Sequence, residues 1–241
     1  MVGPEHHDTA FAYRVLADCA YESGQLSLAE ESCETAMQKS TPGSYWHGRC
    51  LVRRGAIVLD LSCKQYGQVT KEVAVTAVGL LQEGLLAVQV AEVGLYYLVD
   101  VLSHLATAQA HAQDAEAQTT AQKALALCDD SLKETEGNIH FAFLAVAEVN
   151  SLNGNHAEAE RWYSKVEDHA KTWADGHPAK QRVLRHLERS RQRVSSSSFR
   201  SGNHTLASLT PVWSCLRPFY FVHSSKFNLP LQPAAKSSMC T

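Results

Sequence analysis

The sequence has little proline, no long uncharged apolar run and no CxxC motif. Only 7 prolines occur among 241 residues, which favours helices over a loop-rich β fold. The 7 cysteines are odd in number and irregularly spaced, so we expect reduced thiols in an intracellular, cytoplasmic protein, with the nucleus left open. The N-terminus lacks the apolar core of a signal peptide. The most apolar stretch, residues 73–99, is interrupted by Glu83 and Glu92, so we expect a buried hairpin and no membrane span.

Recognisable catalytic motifs are also absent. The chain has no nucleophile elbow, no phosphate-binding loop, no readable carboxylate pair and no zinc-ligand spacing. His104 and His111 share a helix face but stand seven residues apart, whereas metal-binding histidines on a helix stand three or four apart. We therefore expect packed or surface histidines, no metal, no cofactor and no enzyme activity. A helical enzyme or ligand-binding domain stays an alternative, because catalytic residues are often scattered in sequence.

Charge is distributed unevenly along the chain. Residues 1–176 carry 24 acidic and 12 basic side chains, whereas residues 177–241 carry one acid, Glu188, and 10 basic side chains. The basic residues are densest in a predicted helix over 177–194. Its arginines are Arg182, Arg185, Arg189, Arg191 and Arg193. This helix either is a solvated cap that ends the fold or docks onto an acidic surface, of a partner or of this chain's own body. The acidic body repels phosphate, so we expect no nucleic-acid partner.

Apolar residues recur three and four apart through residues 8–176, which predicts a series of amphipathic helices. Reversals at Gly24, Gly67, about residues 112–113 and Gly154 separate them, at spacings of 43, about 46 and about 41 residues. Such a period is typical of stacked helical hairpins, none of which buries its apolar face alone. The first helix, ending near Ser23, is expected to bury one apolar stripe. Its members are Phe11, Val15, Leu16, Cys19 and Ala20.

Several residues indicate where helices begin. Residues 27–30, Ser-Leu-Ala-Glu, match a capping box that would start the second helix. Ser44 and Thr70 are predicted N-caps of the third and fourth helices. Pro178 suits the first turn of the last helix.

The hairpin from His140 to Ala170 has the most specific pattern. Val146 and Ala147 lie eight and seven residues before Gly154, while Ala159 and Tyr163 lie five and nine residues after it. Small residues at these places let two helices approach closely, and the large one fills the gap to the next hairpin. The hairpin at Gly24 repeats the pattern in part. Its matching residues are Leu16, Ala17, Ala29 and Ala36, with Cys33 at the aromatic position.

This pattern resembles the tetratricopeptide repeat (TPR) family, which has small residues where Ala29 and Ala159 stand and an aromatic one where Tyr163 stands. The chain departs from the family at Cys33 and Val166, and its spacing exceeds the usual ~34 residues. The longer spacing is similar to extended TPR-like arrays of kinesin light chains or of scaffold subunits in large cell-cycle assemblies. The resemblance implies an all-α, right-handed superhelix of stacked antiparallel helical hairpins over 8–176. The basic capping helix at 177–194 and a disordered tail at 195–241 complete the expected organisation.

The resemblance also implies a protein-binding scaffold or adaptor whose concave groove is lined by the first helix of each hairpin. Its residues would be Phe11, Arg14, Asp18, Tyr21, Glu22, Phe141, Leu144, Glu148 and Ser151. An acidic and aromatic groove suits a basic or amphipathic helical segment of a partner, and no small-molecule substrate is implied. The other alternative is a fragment or variant of a larger repeat protein, which exposed apolar faces on the first or last helix would favour.

Overall fold

A computed structural model describes residues 7–90, 95–128 and 139–198 of the chain. These residues form nine α-helices and no strand, which confirms the predicted all-α class for this part of the chain. The helices are α1 His7–Glu22, α2 Leu26–Lys39, α3 Tyr45–Tyr66, α4 Lys71–Val90, α5 Leu95–Ala112, α6 Ala117–Ala126, α7 Ile139–Leu152, α8 His156–Lys171 and α9 Pro178–Ser198. Helix α9 runs four residues past the predicted start of the tail, and the rest of that tail, 199–241, lies outside the described residues.

Consecutive helices pair into four hairpins, α1/α2, α3/α4, α5/α6 and α7/α8, followed by the single helix α9. The first helices of the hairpins also contact one another in chain order, from α1 through α3 and α5 to α7. Helix α9 packs against α7 and α8 and reaches back to α3. The last helix of this part of the chain therefore contacts both early and late hairpins.

Three of the reversals share one backbone geometry. At Gly24, Gln113 and Gly154, the turn N–H donates to the carbonyl three residues back, and the next N–H donates to the carbonyl five residues before it. The φ angles of the three turn residues are 79°, 61° and 83°. Glycine adopts this left-handed conformation without steric strain, which explains the two Gly turns. Residues of the helices before these three turns can therefore be compared by their distance in sequence from the turn residue, which gives the three helices a common register.

The predicted N-caps of α3 and α4 are confirmed. Ser44 Oγ accepts a hydrogen bond from the His47 N–H at 3.3 Å, and Thr70 Oγ1 accepts one from the Val73 N–H at 3.4 Å. The backbone donors at both helix starts thereby gain an acceptor that the helix itself does not supply.

The predicted capping box at the start of α2 is wrong. Helix α2 already begins at Leu26, and Gln25 is its N-cap, without a side-chain capping bond. The Gln25 carbonyl accepts the first hydrogen bond of the helix, from the Ala29 N–H at 2.9 Å. The tight turn at Gly24 leads directly into the helix, so Ser27 lies inside its first turn.

The apolar stripe that the sequence predicts to be buried on α1 is largely exposed. Phe11, Val15 and Leu16 are 42%, 36% and 41% exposed, and Cys19 is exposed as well. Only Ala20 of the predicted stripe is buried. The prediction was wrong because α2 and α3 pack on the neighbouring side of α1, where Ala17, Ala20 and Tyr21 join their core.

Helix α4 is, by length and composition alone, long and apolar enough to cross a membrane. Its buried residues include Ala74, Ala77 and Leu81, which join one core cluster with residues of α3 and α5.

The same helix approaches α3 very closely at Gly84. A Cβ atom there would lie 2.7 Å from Val52 Cγ2 and 2.9 Å from the carbonyl oxygen of Gly48.

Two glycines of α4 therefore respond to the same substitution with opposite signs. We expect Gly84→Ala to lower the free energy of unfolding by about 1–3 kcal/mol, because its methyl group meets α3 backbone. We expect Gly79→Ala to raise it by roughly 0.5–1 kcal/mol, because nothing lies within 4 Å of that Cβ and alanine favours helix. Urea unfolding of both variants measures the difference. A stabilising Gly84→Ala would contradict the close approach.

Candidate functional site

Helix α9 turns one stripe of side chains toward the hairpins. The buried residues recur at helical spacing and are Val183, His186, Leu187, Ser190, Arg193 and Val194. Val183 and Leu187 join an apolar cluster with Leu144 of α7 and Tyr163 of α8. On the outer side of α9, the half-exposed Arg191 pairs with Glu167 of α8 at 2.9 Å. The basic helix thus contacts this chain's own acidic body.

Arg193 lies at the centre of this contact. Its guanidinium donates hydrogen bonds to Asp60 of α3 and to both carboxylate oxygens of Glu148 on α7. Glu148 is 0% exposed and Asp60 is 5% exposed. Burial alone would lower the pKa of Arg193, but the charges of Glu148 and Asp60 raise it well above its usual value. The three residues form a buried ion triad that joins α3, α7 and α9.

A second set of contacts joins α9 to α1. The Tyr21 hydroxyl donates to Asp60 at 2.9 Å, and the Arg189 guanidinium donates to the backbone carbonyl of Tyr21 at 2.7 Å. The Arg189 side chain also lies over the Tyr21 ring, 4.6 Å from its centroid. Burial and the neighbouring Asp60 charge raise the pKa of Tyr21, so the phenol stays a hydrogen-bond donor. Asp60 is therefore shared between α1 and α9.

One turn earlier on α9, His186 faces an acid and an aromatic cluster. Its Nε2 lies 3.1 Å from Glu22 of α1, and its Nδ1 lies 2.9 Å from Nε2 of His140. The Phe141 ring packs against it, with centroids 4.8 Å apart. Burial lowers the pKa of His186 despite Glu22, so the imidazole is largely neutral at pH 7. Burial would raise the pKa of Glu22, but His186 and the nearby charges of Arg53 and Arg182 lower it to about 2.

His111, at the end of α5, lies beside the ion triad that α3, α7 and α9 form. Its Nε2 lies 3.9 Å from Glu148, and its side chain is 2% exposed. Burial lowers its pKa to about 4; Glu148 and Asp60 oppose this shift, and Arg193 adds to it. The imidazole is therefore neutral in the folded chain at neutral pH.

This buried histidine predicts loss of stability in mild acid. Its folded pKa lies below the unfolded value of 6.5, so the unfolded chain binds the proton and stability falls as pH drops below about 6.5. At pH 5 the loss from His111 alone is about 2 kcal/mol. We expect His111→Gln to reduce the pH dependence of urea unfolding between pH 7.5 and 5. The same change at the exposed His156 should leave the profile unaltered, and an unaltered profile in His111→Gln would contradict the prediction.

Two cavities adjoin these side chains. The larger, of about 230 Å³, is an open pocket lined in part by Asp60, Arg189 and Arg193. The smaller, of about 20 Å³, lies among α1, α5, α7 and α9, which is room for one water molecule and not for a substrate. Its polar lining residues include Tyr21, His104, Glu148 and Arg193. Among the described residues, no group of three or more His, Cys, Asp or Glu side chains is arranged to hold a metal ion.

The structure brings most of the predicted groove residues together under α9. Five of them lie in or beside the contacts with α9: Tyr21 and Glu22 of α1, and Phe141, Leu144 and Glu148 of α7. A sixth, Ser151, is buried one turn further along α7.

The three remaining predicted groove residues lie elsewhere on α1. Asp18 pairs with Arg14 and with Arg53 of α3, the latter at 2.6 Å. Phe11 packs edge-on against Trp46 at 5.2 Å between ring centroids. Phe11 and Arg14 lie toward the start of α1. Asp18, in contrast, is joined through Arg53 to Tyr21, whose ring centroid lies 4.8 Å from the Arg53 guanidinium.

Sequence reasoning missed Asp60, His140 and His186. Asp60 is the single acid in the apolar stretch 55–62, just as Glu148 is the single acid in 141–149. A lone carboxylate in a buried helix needs a partner of opposite charge, and the basic stripe of α9 supplies it. An isolated acid within an apolar run was therefore the available signal.

Comparison with protein-family models, with curated proteins and with solved structures finds no match for this chain.

Proposed function

We propose that the helical array is a protein-binding scaffold whose groove receives a basic amphipathic helix, and that α9 is its intramolecular occupant. One observation carries this proposal. Arg193 of α9 pairs with Glu148 and Asp60, Arg189 donates to the backbone carbonyl of Tyr21, and His186 lies 3.1 Å from Glu22. A helix of similar chemistry from a partner meets the same groups when it replaces α9.

The contacts of α9 define the kind of helix that fits. Apolar residues at the places of Val183 and Leu187 enter the cluster on α7 and α8. An imidazole or other small aromatic donor at the place of His186 meets Glu22. Arginine fits best at the place of Arg193, because its planar guanidinium donates to both oxygens of Glu148 and at the same time to Asp60, a fixed fork that the point charge of lysine does not reproduce.

The repeat geometry supports the scaffold part of the proposal. Three turns share one backbone pattern, and the first helices of successive hairpins contact in order, as they do in TPR-like superhelices. Cys33 and Cys50 are buried thiols in the α1–α3 core, which supports the assignment to a reducing, cytoplasmic compartment.

A nicked chain tests whether the groove binds a helix reversibly. A protease site placed in the connection at residues 172–177 lets α9 be cut free after folding. A labelled peptide of residues 178–198 is then added, and its uptake is followed by fluorescence anisotropy. We expect it to replace the cut α9, and we expect an Arg193→Met peptide to compete at least about 30-fold less well. An Arg191→Met peptide carries the same change in charge and should compete like the original.

Two outcomes would contradict the proposal. Equal competition by all three peptides would mean that the ion triad does not select the helix. Loss of helical circular dichroism before any exchange occurs would make α9 a structural part of the fold and not an occupant of the groove.

A further inference from the structure

The exposed stripe of α1 consists of apolar side chains. It is formed by Phe11, Ala12, Val15, Leu16 and Cys19. A continuous apolar face on a helix of a soluble domain marks a surface that another element covers. Helices α2 and α3 pack mainly on the neighbouring side of α1, although Phe11 at the start of the stripe also meets the Trp46 ring of α3 edge-on.

The common register of the turns shows what covers the same face elsewhere in this chain. Gly24 and Gly154 are equivalent and stand 130 residues apart. The five stripe residues therefore correspond to five residues of α7. These are Phe141, Ala142, Ala145, Val146 and Val149. All five are at most 8% exposed.

On α7 the preceding hairpin, α5/α6, covers this face. Ala145, Val146 and Val149 share a core cluster with Ala106 of α5 and Ala121 of α6. Helix α5 shows the same relation one hairpin earlier at three of the five places. Its residues at the places of Ala12, Leu16 and Cys19 are Val101, Leu105 and Ala108, and all three are buried against α3 and α4. The other two places hold Asp100 and His104, whose side chains lie 3.2 Å apart. Of the three helices in this common register, α1 is the one whose face is left open by the described part of the chain.

We propose that the α1 stripe binds a two-helix hairpin of the same repeat type, carried by a partner polypeptide and stacked on α1 as α5/α6 stacks on α7. Val15 and Leu16 are larger than the Ala145 and Val146 to which they correspond. The partner hairpin therefore presents alanine or other small residues to them, as α5/α6 already does at Ala106, Ala117 and Ala121. This site is separate from the groove that holds α9.

A tandem fusion tests the fit. A second copy of residues 95–138, which comprise α5, α6 and the connection to α7, is joined directly to the N-terminal side of Thr9. The chain continues from Thr9 to its end. Thr9 corresponds to Ile139, so the copy reaches α1 in the register that α5/α6 has on α7. The tether gives an effective concentration in the millimolar range, so that even a weak contact is populated. The readout is the alkylation rate of Cys19, resolved by mass spectrometry, because this exposed thiol lies in the stripe.

We expect the fusion to slow Cys19 alkylation by at least about tenfold relative to the unfused chain. A fusion that also carries Leu16→Glu should show no slowing relative to its own unfused counterpart. Equal rates with and without the hairpin in the parent chain would overturn the proposal. Protection of Cys19 from alkylation in the unfused chain would also overturn it. If that protection is lost on dilution, a second copy of the chain covers the face. If it is lost on truncation after Ser198, residues 199–241 cover it.

Discussion

Arg193→Met is expected to lower the free energy of unfolding by about 3–5 kcal/mol, the cost of removing one partner from a buried ion network. The substitution keeps an unbranched apolar stem but removes the guanidinium, so Asp60 and Glu148 lose their shared cation. For a domain of this size the melting temperature should fall by roughly 6–20 °C. Urea and thermal unfolding, followed by circular dichroism, measure both quantities.

Arg191→Met is the matched control for this prediction. It changes the net charge by the same amount, two residues away on the same helix. Arg191 is half exposed, and its partners are two surface acids and the face of the Tyr163 ring, 5.1 Å from the guanidinium. We expect a loss below about 1 kcal/mol, and less still in 1 M salt, which screens exposed pairs far more than buried ones. Equal losses from the two substitutions would contradict the buried triad.

Neutralising the acids should reverse part of the loss. In a chain that carries Asp60→Asn and Glu148→Gln, no buried carboxylate is left uncompensated when Arg193 becomes Met. The effect of Arg193→Met should therefore be smaller in that background than in the parent chain. A double-mutant cycle gives the coupling energy directly.

A strongly held α9 is compatible with its replacement by a partner. The short connection between α8 and α9 gives α9 an effective concentration in the millimolar range near the groove. A partner helix at micromolar concentration must therefore bind roughly a thousand times more tightly than free α9 does. Such a groove rejects weakly basic helices and responds only to one that fills the carboxylate sites and the apolar cluster together.

Local pattern predicted the helices well, because apolar periodicity and caps act within a few residues. Examples are the N-caps at Ser44 and Thr70 and the chain reversal near Gln113. The α1 stripe shows the limit of such reasoning. Periodicity identifies residues that share one face of a helix, but it does not tell whether another element covers that face.

The site was harder to predict, since its contacts span long distances in sequence. Arg193 and Asp60 are 133 residues apart. The charge asymmetry of the chain allowed an acidic surface for the basic helix, and the TPR resemblance picked out Glu22 and Glu148. The resemblance did not pick out Asp60, because the repeat pattern was identified only around Gly24 and Gly154, and Asp60 lies in the hairpin around Gly67.

Tyr163→Ala is expected to have the other large effect on stability, a loss of about 3–5 kcal/mol. Tyr163 is 3% exposed and fills the space between the α7/α8 hairpin and α9, in a cluster with Leu144, Val166 and Leu187. Truncation leaves a cavity at the place where α9 rests on the array. Thermal unfolding should show a melting temperature roughly 6–20 °C lower.

Two further tyrosine variants separate packing from polarity in this effect. Tyr163→Phe keeps the ring but removes the acceptor of the Ser190 hydroxyl, which lies 3.3 Å away, so we expect a loss of only about 1 kcal/mol. Tyr66→Ala removes a ring of the same size that is 60% exposed, and we expect a change within about 0.5 kcal/mol. If Tyr163→Ala behaved like Tyr66→Ala, Tyr163 would not be the residue that joins α9 to the last hairpin. If Tyr163→Ala lowers stability as expected, then Tyr163, the aromatic residue on which the repeat resemblance depends, also packs against α9 and stabilises it in the groove.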